Sequence, residues 1–286
     1  MRIFVSRATR TRTRASAVVG LALACGITLP ASQASTVDAT PATAAQPAAK
    51  PTIVLVHGAF AGTSSWSGEV EILRQQGYDV RAIANPLDGL TSDAETVASF
   101  LKTIAGPVIL VGHSYGGSVI TNAAAQVNNV RGLVYVDAAA PAPGETTGSL
   151  SGSTSALNAP ADTLFESVGY PNAPAGAMDL YLKKDIFLNR FGQNLPASRA
   201  TDLWATQRPA STAAFDTPSQ YAAWQTIPSW YFISTGDQII TQQSEEMMAQ
   251  RAGSRVTLFE GGSHLTLVSN PDAVANVILD AARTVG

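Results

Sequence analysis

The sequence predicts an α/β fold, in which a mostly parallel, doubly wound sheet carries helices on both faces. From residue 51 onward, short apolar and β-branched runs alternate with segments whose apolar residues recur at helical spacing. The first run, residues 52–56, is apolar or β-branched throughout, as in a strand that is buried on both faces. With 286 residues, of which 45% are apolar and 14% charged, the chain is able to bury such a core, and a disordered chain is excluded.

Six strands and four helices can be placed along the chain. Short runs rich in apolar and β-branched residues predict strands at 52–56, 79–84, 107–111, 132–136, 230–234 and 255–259. Helical spacing predicts helices at 66–77, 91–104, 115–127 and 271–283, the last with Pro in its first turn. Residues 142–224 contain no clear β run, and we expect them to form a mostly helical cap insertion over the substrate pocket.

The N-terminal 34 residues are expected to be a secretory signal peptide, which makes the protein a secreted one. Five of the 18 basic residues fall within the first 14 positions, an apolar run follows at 15–29, and small residues precede a cleavage site after Ala34. The alternative is a membrane anchor, but this run is shorter than the ~20 residues that a spanning helix needs. Residues 35–50, rich in Ala, Thr and Pro, are expected to be a flexible linker, which leaves 51–286 as the folded domain.

Composition excludes two further classes. A single Cys excludes an intramolecular disulfide framework, and with three His in all it excludes a zinc finger. Without residues 1–34 the chain carries 13 basic and 21 acidic residues, a net charge of −8, and it has no basic patch. Nucleic acid is therefore not an expected partner.

Residues 112–116, Gly-His-Ser-Tyr-Gly, form a G-x-S-x-G motif between a predicted strand and a predicted helix. A Ser on such a sharp turn needs small neighbours two positions away on either side, here Gly112 and Gly116. The alternative is a Gly-rich turn with an incidental Ser, which the flanking strand and helix disfavour. The motif therefore predicts that Ser114 is a nucleophile.

A Ser nucleophile requires a base and an orienting acid. Of the three His, His113 lies inside the turn and His57 ends the first strand, so His264, in the loop after the last strand, is the expected base. Hydrolases built on this turn have the order Ser, acid, His. Asp237, after the fifth strand, is the preferred acid and Asp137, after the fourth, is its competitor.

The tetrahedral intermediate of acyl transfer needs two backbone donors. We expect one N–H from Tyr115, the residue after the nucleophile, and one from Ala59 in the loop after the first strand, with Phe60 as the alternative to Ala59. Phe60, Phe187 and Trp204 are candidates for the substrate pocket, although most aromatic side chains of the insertion are expected to pack in its own core.

From about Thr52 onward the chain resembles the α/β-hydrolase superfamily, in particular the branch of methyl-salicylate-type esterases, hydroxynitrile lyases and small bacterial esterases. The resemblance rests on residues 56–66, 111–117 and 207–211, on Asp237 and on residues 262–264. It implies an α/β-hydrolase fold with an eight-stranded type of core and a helical cap. It also implies the triad Ser114, Asp237 and His264, the oxyanion donors Ala59 and Tyr115, and ester hydrolysis without a cofactor or metal.

The hydroxynitrile lyases of this branch have Lys after the catalytic His and Thr after the first-strand His, whereas this chain has Leu265 and Gly58. The expected function is thus that of a secreted serine esterase acting on small or medium carboxylic esters, without stable membrane insertion after signal cleavage. The alternatives are a non-ester reaction on the same fold, such as C–C, amide or lactone cleavage or perhydrolysis, and a weakly catalytic ligand-binding protein. Chain-length preference and oligomeric state stay open.

Overall fold

The computed structural model describes residues 50–285, so the predicted signal peptide and nearly all of the predicted linker lie outside the described residues. Six parallel strands form one sheet in the order β2-β1-β3-β4-β8-β9. They are β1 Thr52–Val56, β2 Val80–Ile83, β3 Val108–His113, β4 Val130–Val136, β8 Ser229–Ser234 and β9 Arg255–Phe259. The α/β class is confirmed, and each strand end lies within two residues of its prediction. The described chain has six strands in this sheet, not the eight that the resemblance implied.

Helices cover the sheet because each has one apolar face and the central strands β1, β3, β4 and β8 are almost entirely buried. The longer helices are α1 Ser67–Gln75, α2 Leu90–Leu101, α3 Tyr115–Ala123, α8 Gln242–Ala252 and α10 Pro271–Val285. α1 packs against α10, and α2 packs against α3. Because the strands are parallel, the carboxyl ends of β1, β3, β4, β8 and β9 meet at one edge of the sheet, where the loops carry the predicted site residues.

The insertion differs from the prediction, because it contains a second sheet and is not mostly helical. Three antiparallel strands, β5 Phe165–Val168, β6 Asp179–Leu182 and β7 Ala210–Ser211, pair in that order. Short helices surround them: α4 Ala161–Leu164, α5 Lys184–Ile186, α6 Ala197–Ala205 and α7 Thr212–Asp216, with a π-helical turn at Phe187–Phe191. The strands were missed because they are short, and β5 is mostly exposed and mixed in polarity.

A further short helix, α9 Thr266–Ser269, follows the loop after β9 and directly precedes α10. No helix within residues 50–285 combines the length and the apolar character needed to cross a bilayer.

Glu69, on α1, has a buried carboxyl group that no hydrogen bond stabilises among the described residues. Its side chain is fully buried, and neither carboxylate oxygen has a hydrogen-bond partner among the described residues. Burial raises the pKa of Glu69 from 4.5 to about 9. The carboxyl group of Glu69 is therefore protonated in the folded protein at neutral pH, whereas it is ionised in the unfolded chain. Its contribution to the free energy of unfolding is fully present below pH 4.5 and is lost as the pH rises towards 9.

We predict that Glu69→Gln stabilises the protein, and more so at pH 8 than at pH 5, because Gln stays neutral in both states. The linkage amounts to about 1.4 kcal/mol per pH unit between the two pKa values. Denaturant unfolding at both pH values measures it, with the exposed neighbour Glu71→Gln as the control. An equal effect of Glu69→Gln at the two pH values would contradict the assignment.

Candidate active site

Ser114 stands on a strained turn between β3 and α3. Its backbone has φ 55° and ψ −126°, and residues other than Gly rarely adopt such a positive φ. A Cβ atom on Gly112 would lie 2.5 Å from the carbonyl oxygen of Gly116, and one on Gly116 would lie 2.5 Å from that of Val56. The small residues on either side are thus a steric requirement of this turn, as the motif predicts.

The ring of His264 lies beside Ser114. Its Nε2 is 2.7 Å from Oγ of Ser114, and its Nδ1 is 2.6 Å from Oδ2 of Asp237. His264 is fully buried, and Asp237 and Ser114 are each 7% exposed. The structure therefore brings together the three residues that were predicted as nucleophile, base and acid, in the order of contacts that proton transfer through an imidazole requires.

Asp137 also lies at this edge of the sheet but does not contact His264 within hydrogen-bond distance. Its Oδ1 accepts the backbone N–H of Ser234 at 2.7 Å, and its Oδ2 lies 3.0 Å from the hydroxyl oxygen of that residue. Asp237 is held differently, because its Oδ1 accepts the N–H groups of Ile239 and Ile240 at 2.7 and 3.3 Å. These contacts leave Oδ2 of Asp237 for the imidazole.

Asp137, Asp237 and the fully buried Glu245 present carboxylate oxygens within 4.8 Å of one another, and this is a group that has the spacing to hold a metal ion. The oxygens of Asp137 and Asp237 are already engaged by the N–H and O–H groups named above, which leaves Glu245 as the free ligand. Burial raises the pKa of all three carboxyl groups, and the neighbouring carboxylates raise those of Asp137 and Glu245 further. Retained protons on Asp137 and Glu245 therefore offset much of the charge of this cluster.

The loop after β1 lies directly against the nucleophile. A Cβ atom on Gly58 would come within 2.6 Å of Cβ of Ser114, so this backbone approaches the site as closely as it can. The next residue, Ala59, is 3% exposed, and Phe60 has a φ of 59°. Tyr115 is the first residue of α3, where backbone N–H groups have no partner within the helix. The loop that holds Ala59 and the first turn of α3 thus both adjoin Ser114.

Phe60 lines two cavities. One, of about 330 Å³, is lined by Phe60, Phe187 and Leu265 together with polar residues that include Arg208. The other, of about 180 Å³, is mostly apolar and lies between Phe60, Phe165 and Phe215. Two of the three predicted pocket residues therefore line a cavity. The third, Trp204, lines neither, and its indole N–H donates to the carbonyl oxygen of Leu182 inside the insertion.

The environment of His264 predicts the pH dependence of the site. Burial lowers the pKa of His264 from 6.5 to about 3, and an ionised Asp237 opposes this because a negative charge stabilises the imidazolium. Only the neutral ring accepts the proton of Ser114, so activity is lost as pH falls through this pKa. We expect the acid limb of the kcat/KM profile to have its midpoint below pH 6.5. A midpoint at or above 6.5 would contradict the burial effect.

Sequence reasoning assigned no role to two residues that contact this site. The carboxylate of Glu245 lies within 4.8 Å of that of Asp237. Arg208 contacts His57, which directly precedes Gly58. A signal for Arg208 was present, since it is the only Lys or Arg between residues 200 and 250. An isolated charge next to a predicted pocket is worth considering as a site residue.

The comparisons with known proteins bear on the family and the fold. The sequence profile of the alpha/beta hydrolase family matches residues 53–277. An alpha/beta hydrolase of Aspergillus novofumigatus, nvfD, is 29% identical over 255 residues, which cover 82% of this chain and 97% of that protein. A pyrethroid hydrolase of Sphingobium wenxiniae is 28% identical over 248 residues, which cover 80% of this chain and 87% of that protein.

Among solved structures, an extracellular alpha/beta-hydrolase from a Paenibacillus species superposes with a TM-score of 0.68 at 23% identity, covering 82% of this chain and 99% of that one. It is described as sharing structural and functional homology with Tobacco Salicylic Acid Binding Protein 2. At this identity the likeness concerns the fold.

Proposed function

This chain belongs to the alpha/beta hydrolase family, and on that premise we propose that it is a secreted serine esterase that cleaves small or medium carboxylic esters through an acyl-enzyme. The observation that carries the proposal is the pair of contacts of His264, with Nε2 at 2.7 Å from the hydroxyl of Ser114 and Nδ1 at 2.6 Å from Asp237. A binding protein has no need for this arrangement. Relatives named as a pyrethroid hydrolase and as a carbendazim hydrolyzing esterase support the same interpretation.

The proposed reaction begins with attack by Oγ of Ser114 on the ester carbonyl carbon, while Nε2 of His264 takes the hydroxyl proton. The imidazolium then gives this proton to the departing alcohol, and the C–O bond of the ester breaks. A water molecule, deprotonated by the same nitrogen, attacks the acyl-enzyme and releases the carboxylic acid. Ser114 regains its proton from His264 at the end of the cycle.

Asp237 orients the ring in this scheme. Its Oδ2 accepts Nδ1–H, which leaves the lone pair of Nε2 directed at Ser114 and stabilises the imidazolium that forms. The backbone N–H groups of Ala59 and Tyr115 donate to the negative oxygen of the tetrahedral intermediate. Tyr115 is the first residue of α3, where the helix dipole also favours negative charge.

The two cavities that Phe60 lines support a substrate of modest size, because Phe60 belongs to the loop after β1 that lies against Ser114. Their volumes are about 330 and 180 Å³, and the lining of the smaller one includes three Phe side chains.

The test is hydrolysis of a series of p-nitrophenyl and methyl esters of increasing acyl length, with aryl esters and lactones included. We expect saturable turnover, with a maximum at short or medium acyl chains because the smaller cavity limits the length. If all esters fail while a fluorophosphonate still modifies Ser114, the non-ester alternative is correct. Saturable binding of an ester without any product would instead indicate a ligand-binding protein.

A further inference from the structure

Arg208 belongs to the insertion and contacts residues that follow strands β1 and β2 of the large sheet. Its Nη1 donates to the carbonyl oxygen of Asn85 at 2.6 Å and lies 3.1 Å from Nε2 of His57, and its Nη2 donates to the carbonyl oxygen of Pro86 at 3.2 Å. Within residues 50–285, no ion pair involves this side chain. Its charge is therefore directed at main-chain oxygens and one imidazole, and these contacts hold His57 in place.

The contacts of His57 identify which of its nitrogens carries the proton. Nε2 faces two donors, the guanidinium of Arg208 and the backbone N–H of Asn85 at 3.0 Å, so it must present its lone pair. The proton is then on Nδ1, which lies 2.9 Å from the carbonyl oxygen of Gly58 and donates to it. Burial lowers the pKa of His57 to about 4, and the positive charge of Arg208 opposes a second proton.

The bond from Nδ1 to Gly58 also orients the next N–H group. The carbonyl of Gly58 and the N–H of Ala59 belong to one planar peptide unit, and no peptide bond in the described chain is cis. In a trans unit the two groups point in opposite directions, so fixing the carbonyl fixes the direction of the N–H. This unit begins at Gly58, whose backbone is in contact with Ser114.

We propose that Arg208 is a positioning residue that, through the fixed Nδ1–H form of His57, holds the peptide between Gly58 and Ala59 in the orientation that the oxyanion hole requires. The inference rests on the proposed function, because this orientation matters for catalysis only if an oxyanion forms beside Ser114. It makes the insertion part of the catalytic apparatus, since Arg208 lies between α6 and β7 and acts on the loop after β1.

Kinetics of Arg208→Gln test the proposal, with Arg131→Gln as the matched control. Arg131, on β4, also donates to two main-chain oxygens, those of Asn128 and Val130. We expect Arg208→Gln to lower kcat by about 10–100-fold, as expected for weakening one oxyanion donor, with KM changed by less than about threefold. Arg208→Lys should be intermediate, because an ammonium cannot serve the acceptors in the same fork geometry. A raised KM with unchanged kcat would overturn the proposal in favour of a substrate-binding role.

A boronic acid tests the oxyanion hole through a bound adduct rather than through turnover. It forms a tetrahedral adduct on Ser114 with an oxygen in the oxyanion hole, so its affinity should fall in proportion to kcat/KM in Arg208→Gln. Unchanged affinity would overturn the proposal.

The ¹⁵N shifts of His57 in the wild-type protein provide the second test and require no turnover. With only three His in the chain, they can be assigned individually. We expect neutral Nδ1–H at His57 from pH 5.5 to 8 in the wild type, and a shifted Nε2 resonance with the same tautomer in Arg208→Gln, because the backbone N–H of Asn85 still faces Nε2 when the guanidinium is lost. An Nε2–H form in the wild type would refute the inference even if the esterase activity is as proposed, whereas Nδ1–H in a protein without ester turnover would leave the contact intact and refute only the proposed function.

Discussion

Ser114→Ala is expected to lower kcat/KM for a chromogenic ester by at least about 10⁴-fold, because no other group can form the acyl-enzyme. The fold should persist, since the substitution removes one oxygen and Ala tolerates the left-handed backbone of this position about as well as Ser. Steady-state hydrolysis by purified protein, with a thermal midpoint measured in parallel, tests both statements.

Ser118→Ala is the matched control on the same helix. Ser118 is fully buried on α3 and accepts a hydrogen bond from the hydroxyl of Thr147 at 2.8 Å, but it does not contact His264 within hydrogen-bond distance. We expect nearly unchanged activity and a loss of about 1 kcal/mol in unfolding free energy. If Ser114→Ala kept more than about 1% of the activity while Ser118→Ala abolished it, the nucleophile would be misassigned.

The second large effect is expected from the two aspartates that compete as the catalytic acid. Asp237→Asn should lower kcat by about 10⁴-fold, because an amide does not hold His264 in the Nδ1–H form. Asp137→Asn should leave kcat within about threefold of the wild type, because an Asn oxygen still accepts from the backbone of Ser234 and burial already favours the neutral form of Asp137.

This pair of variants is informative because both substitutions have the same size and both residues are buried at the same edge of the sheet. Comparison of kcat for the two at pH 7.5 decides between them. A larger loss in Asp137→Asn than in Asp237→Asn would transfer the role of the acid to Asp137 and would contradict the contact seen with His264.

The core sheet was predictable because its strands are largely apolar runs, rich in β-branched residues and bounded by turn residues. The antiparallel strands of the insertion were not, since β5 and β6 are four residues each and β7 is two, and their pairing depends on contacts made only in the folded insertion. A sequence of four residues with mixed polarity carries no period that distinguishes a strand from a loop.

In the candidate site, too, some residues were predictable from the sequence and others were not. Ser114 is marked by a local motif, and His264 follows by elimination among three His. Asp237 and Asp137 both follow strands, so only the geometry at the sheet edge shows which of them reaches the imidazole. The contact of Arg208 with His57 joins positions 151 residues apart, and no local pattern predicts it.

Modification by a fluorophosphonate, followed by mass spectrometry of intact and digested protein, tests the central claim most directly, because the reagent reports an activated Ser rather than a preferred substrate. We expect a single adduct, on Ser114, and a modification rate that falls by at least about 10³-fold in His264→Gln, where the base is lost. An adduct on a different residue, or an unchanged rate in His264→Gln, would contradict the assignment of a serine activated by this imidazole.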